Sequence, residues 1–223
     1  MTERLPARAG LLAVVVALFV LGFVNPGTAD DLKSPVELAV TGGMSDGPGY
    51  ADWAPGVGAG LEVGPSFFHV TGALNWIGLT KSGTPGGHQI SATVGGKVFV
   101  GRFFVVGGFN HNDTDQTIWT KTVQYAYGGG GFRWNGKTHR GDRPVNINEA
   151  SFTYWRETYS TYANDTQVYR FTYSFDHRLG ASPWTVRLTT SVSGMKFNDN
   201  PYPDAAKRQG TAFSAAIGLG FRP

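Results

Sequence analysis

An apolar–polar alternation of period two returns along the chain at intervals of roughly twenty residues, and a strand is the element that presents it. Residues 167–179, QVYRFTYSFDHRL, carry it most plainly. Tyr169, Phe171, Tyr173 and Phe175 share one face with His177 and Leu179, while Arg170, Thr172, Ser174, Asp176 and Arg178 share the other. Ten segments of this kind are predicted: 35–45, 54–64, 67–80, 88–100, 102–111, 121–134, 145–158, 167–179, 184–197 and 209–221. The class is all-β, and glycine is abundant at 32 of 223 residues, about twice the usual share.

The connections alternate in length. Gly64-Pro65-Ser66, Gly101-Arg102 and residues 180–183 are short, whereas HNDTDQT (111–117), YSTYANDT (159–166) and NDNPYPDAAKRQ (198–209) are longer and polar. NGKTHRGDRP (135–144) departs from the pattern by being long where a short turn is due. Short turns at one end and long loops at the other belong to up-and-down antiparallel barrels. Ten strands are expected, with eight strands and longer loops as the alternative.

Which face is dry follows from the polar positions. On the surface of a soluble barrel they would carry long, varied charges. Here they are mostly Gly, Ala, Ser and Thr: Gly56, Gly58 and Gly60 on one strand, Thr185, Thr189, Ser191 and Ser193 on another. Small residues suit a narrow lumen on which all inner faces converge. The isolated charges of inward parity then pair across it, because a buried unpaired charge is costly. Candidates for this lumen network are Glu62, Lys97, Glu149, Arg170, Asp176, Arg178 and Arg187, and His69 has the parity to join Glu62. The apolar faces point to lipid: Tyr169, Phe171, Tyr173, Phe175, Phe213, Ile217, Leu219 and Phe221. Trp53, Trp76, Trp119, Trp134, Trp155 and Trp184 lie near strand ends, as interfacial girdles do. The expected fold is therefore a transmembrane β-barrel; an exported soluble, lipocalin-like ligand binder is the alternative.

Residues 1–29 read as a secretory signal peptide: Arg4 and Arg8, an apolar run, then Gly27-Thr28-Ala29 before the cut. A retained anchor is the other reading, for which the run is short. Residues 30–223 form one domain. Cysteine is absent, which excludes a lipoprotein anchor and disulfides. The formal net charge of +3 is a small excess with no basic run, so nucleic acid is not an expected partner.

The mature chain resembles the small outer-membrane β-barrel proteins of Gram-negative bacteria over nearly its full length, in architecture and in its last strand, FSAAIGLGF (213–221). The resemblance implies outer-membrane localisation after export, with a periplasmic or secreted location as the alternative. It also implies contact with membrane lipid, assembly by the barrel-insertion machinery, and outer loops open to a surface partner. Members of that class finish on an aromatic residue; here Phe221 fits, but Arg222 and Pro223 follow.

Motifs for catalysis are missing: there is no GxSxG, HExxH or Walker loop. Asp176 and His177 face opposite sides of a strand and cannot pair, and no outward patch joins a His to a nucleophile or acid. Gly128–Gly131 read as close strand approach or a bulge, not as a phosphate cradle. Neither catalysis nor a metal or other cofactor is expected. The functions that remain are a structural or surface-interaction barrel with a plugged lumen, or a small passive channel or solute-binding barrel. Oligomeric state is left open.

Overall fold

The computed structural model describes residues 36–47, 51–79, 87–116, 119–135, 139–140, 143–161, 165–197 and 209–222. The signal segment 1–29 and the loop 198–208 lie outside them, as do the side chains of Trp53 and Trp119.

The elements are β1 (Val36–Gly47), β2 (Ala51–Val63), β3 (Phe68–Leu79), β4 (Gly87–Val100), β5 (Phe103–Gln116), β6 (Trp119–Asn135), β7 (His139–Arg140), β8 (Arg143–Pro144), β9 (Asn146–Ser160), β10 (Thr166–Arg178), β11 (Trp184–Phe197) and β12 (Gln209–Phe221). Among the described residues the sheet closes in the ring β1-β12-β11-β10-β9-β6-β5-β4-β3-β2, each strand antiparallel to its neighbours. Closure is made by β1 and β12, in register from Leu38↔Phe221 to Asp46↔Phe213. A closed ring leaves no unpaired edge. The all-β, up-and-down antiparallel architecture is the expected one.

Two connections differ from expectation. Residues 111–116 of HNDTDQT are no loop, because β5 continues through them and pairs with β4 and β6 as far as Gln116. The long connection 135–144 folds partly on itself as the two-residue pairing of β7 and β8. At the same end, Gly101 (φ 63°) opens the two-residue turn between β4 and β5, and Gly180 (φ 65°) turns the chain after β10. Positive φ at those positions suits glycine.

The inner space is not uniformly small. Phe99, Phe104 and Val106 are buried in it with Tyr127 against them. Glycine makes the room: a Cβ on Gly131 would collide with the Phe104 ring, and one on Gly95 with the Tyr127 hydroxyl. A Cβ on Gly129 would strike the Phe152 carbonyl, so the glycine run marks close strand approach. The bulge lies nearby, at Gln124/Tyr125.

Candidate functional site: the interior charge cluster

Two charge clusters meet inside the barrel toward the short-turn end. In the first, β2 supplies Glu62, β4 Lys97, β6 Arg133 and β9 Glu149. Lys97 Nζ donates to Glu62 Oε2 at 2.7 Å and to Glu149 Oε1 at 2.8 Å. Arg133 donates through Nη2 to Glu62 Oε1 at 2.8 Å and through Nε to Glu149 Oε2 at 2.8 Å. His69 of β3 is fully buried, with Nδ1 2.5 Å from Glu62 Oε1 and its ring edge-on to Phe99. Lys97 and Arg133 also lie over the rings of Phe104 and Phe99, at 5.0 and 4.9 Å. Each cation thus meets two carboxylates and an aromatic face, which offsets its lost hydration.

The second cluster is built on Asp176 of β10. Arg187 of β11 grips it with both ends of the guanidinium, Nε to Oδ1 and Nη2 to Oδ2, each at 2.7 Å. This paired geometry is the strong form of an arginine–carboxylate bond. Arg222, the residue after β12, reaches the same carboxylate, with Nη2 3.3 Å from Oδ2. Its backbone N–H donates to the Pro183 carbonyl at 2.8 Å, which extends the β11–β12 pairing by one residue and keeps the Arg222 side chain on the inward parity. Between the clusters lies a polar cavity of about 50 Å³, bordered by Glu62, Arg133, Glu149, Asp176, Arg187 and Arg222 among others. That is room for a few water molecules.

Of the residues expected in the lumen, Glu62, Lys97 and Glu149 meet in one cluster, and Asp176 and Arg187 in the other. Arg178 is buried at the same end, where its backbone N–H donates to the Val145 carbonyl at 2.8 Å. Arg170 is inside the barrel but apart from both clusters. Its guanidinium lies 4.6 Å over the Trp155 ring, and its Nε donates to Ser193 Oγ at 3.0 Å. Arg133 and Arg222 were missed by the sequence reading. Both had a signal in parity: Arg133 lies two positions from the inward Gly131, and Arg222 lies two from the inward Gly220, although it falls just past the last strand.

Trp155 is a further correction. Its place near a strand end predicts an interfacial aromatic, yet Tyr154 and Arg156 take the outer face of β9, and Trp155 points inward. It stacks on Tyr127 at 4.5 Å, and its indole N–H donates to Thr153 Oγ1 at 2.8 Å.

The outer face is apolar and exposed. Phe213, Ile217 and Leu219 keep 50, 62 and 53% of their surface open, and Tyr169 and Phe171 are likewise exposed. Tyr173, Phe175 and Phe221 are half-buried on that face by their neighbours: Tyr173 donates to Asn148 Oδ1 at 2.6 Å, Phe175 stacks on His177, and Phe221 meets Trp184 edge-on. His177 itself is exposed and lies 2.7 Å from Asn146 Oδ1, with Asp176 buried on the other side of the strand. One outward pair was not foreseen, because its segment read as a loop: His111 Nε2 lies 3.2 Å from Asp113 Oδ2. The neighbouring Thr122 hydroxyl donates to Asp113, not to the imidazole, so this is no nucleophile–base arrangement.

No protein-family model matches the chain, and no curated protein matches it in sequence. Among solved structures it is similar to the β domain of the Bordetella autotransporter BrkA, with 16% identity over 86% of this chain and 100% of that one, TM-score 0.42. It is similar also to the translocator domain of the autotransporter NalP from Neisseria meningitidis, with 14% identity over 97% and 96%, TM-score 0.41. An anion-selective porin from Comamonas acidovorans shares 13% identity over 75% of this chain, TM-score 0.34; the chain spans 48% of that porin's length. These comparisons single out no family.

Proposed function

We propose that the protein is a ten-stranded transmembrane barrel of an outer membrane, closed at its short-turn end by the two charge clusters. Its role is structural or interactive, exercised through the loops at the opposite end, and not catalytic. One observation carries this reading: the polarity of the barrel is inverted. Ion pairs cluster in the interior toward the short-turn end while large apolar side chains cover the outside. An aqueous surface of that kind would leave an apolar patch far larger than monomers ordinarily expose. On β10 the outward run from Tyr169 to His177 matches the nine to eleven residues of a membrane-crossing strand.

Closure follows from the same groups. Lys97 and Arg133 bridge Glu62 to Glu149 across the lumen, so a passing ion must part paired charges that water does not replace. The test is membrane fractionation with gel mobility before and after boiling, followed by planar-bilayer recording. Outer-membrane recovery, a heat-dependent mobility shift and electrical silence are expected. Recovery from the periplasm without a mobility shift overturns the transmembrane assignment; steady single-channel conductance overturns the closed lumen.

A further inference from the structure

Arg156 of β9 and Lys196 of β11 are both register partners of Gln167 on β10. The three therefore form one row across the outer face, toward the long-loop end. With strands ~4.8 Å apart, the two cations arise about 10 Å from each other, with a carboxamide between them. Both side chains are exposed, and neither makes an ion pair among the described residues. The adjacent carboxylate on β9, Glu157, is on the opposite face and accepts the Thr166 N–H at 3.1 Å.

What lies beside this row gives it meaning. One step toward the short-turn end, Tyr154 and Tyr169 pack with ring centroids 5.1 Å apart. One step further come Phe152, Phe171, Val192 and Phe213, all exposed. Apolar belt, tyrosine pair and exposed cations follow one another within four residues along these strands. That is the order in which a bilayer presents acyl chains, interface and headgroup phosphates.

We propose that Arg156, Gln167 and Lys196 form a headgroup site for a phosphomonoester lipid in the leaflet facing the long loops. The cations converge on the phosphate, the Gln167 amide donates a third hydrogen bond, and the acyl chains lie along Phe152, Phe171 and Val192. A phosphomonoester is favoured over a diester because its second charge and third terminal oxygen match two cations and an amide. The proposal rests on the transmembrane reading above.

The test is native mass spectrometry of the refolded full chain in neutral detergent, titrated with phosphatidic acid or with the diacylglycerol that lacks the phosphate. Arg156→Gln/Lys196→Gln is compared with Arg102→Gln, a control at the exposed turn near the other end. The wild type and the control should retain phosphatidic acid about tenfold better than the double variant, with diacylglycerol retained by none. Equal retention by the double variant, or equal retention of diacylglycerol, overturns the site. So does displacement of phosphatidic acid by inorganic phosphate at equal concentration, which would mark a free-anion site. Flotation with phosphatidylcholine vesicles separates the two readings: failure of the wild type to float removes the membrane assignment and the site with it. Floating of both proteins with equal lipid retention removes the site alone.

Discussion

Arg133 Nη2 lies 2.8 Å from Glu62 Oε1, joining residues 71 positions apart across the inside of the barrel. On its own hairpin Glu62 meets the His69 imidazole, while its register partner on β3 is Thr71. Its charge is held by Arg133 and by Lys97 from strands elsewhere in the ring.

Arg133→Ala should cost about 3–5 kcal/mol of stability, because it leaves Glu62 and Glu149 facing each other with Lys97 alone between them. Urea unfolding of the refolded barrel in lipid measures it. The triple change Arg133→Met/Glu62→Gln/Glu149→Gln should recover part of the loss, since it removes the stranded charges together. A single substitution within about 0.5 kcal/mol of wild type would sink the network.

Arg187→Ala should open the barrel's short-turn end or weaken it, since Asp176 loses both of its 2.7 Å bonds. Arg222→Ala should cost less, because its bond to Asp176 is longer at 3.3 Å. Thermal unfolding and bilayer conductance of the two variants give the order. Arg187→Ala with unchanged stability and no leak counts against the closed lumen.

Ile217→Lys separates lipid from water as the outer solvent. Its side chain is 62% exposed midway along the outer face of β12, so in water the change should be nearly neutral. At a bilayer midplane it should cost about 2–4 kcal/mol. Folding into phosphatidylcholine vesicles, read by gel mobility against urea concentration, distinguishes the two.

Two glycines should differ in their tolerance of alanine. In Gly131→Ala the new Cβ meets the Phe104 ring and lies 2.5 Å from the Ala150 carbonyl oxygen, a clash worth roughly 1–3 kcal/mol. Gly194 has nothing within 4 Å of its Cβ position, so Gly194→Ala should stay within about 0.5 kcal/mol of wild type. Matched unfolding curves of both variants test the packing of the inner aromatics.

Much of this was legible in the residues. Alternation assigned the inner and outer parity of β10 and β12, because a strand's side chains change sides at every step. Asp176 and Arg187 were within reach of sequence reasoning as well, since a hairpin of known turn sets them opposite each other, as the register has them. Trp155 was misplaced because proximity to a strand end outweighed parity, although it shares its parity on β9 with the inward Glu149. The strand character of HNDTDQT was hidden by turn-forming residues that two neighbouring strands override.

What the sequence by itself determined is local: which stretches are strands, which residues share a face, and that one face is apolar and the other small and sparsely charged. Only the closed ring decided which charges meet. Glu62, Lys97, Arg133 and Glu149 come from four separate strands, and Arg222 meets Asp176 only because β12 closes against β11, where the Arg222 N–H donates to the Pro183 carbonyl. The physical reason is range. Side-chain alternation is a property of each successive peptide unit, whereas pairing across a lumen depends on how many strands close the ring and with what stagger.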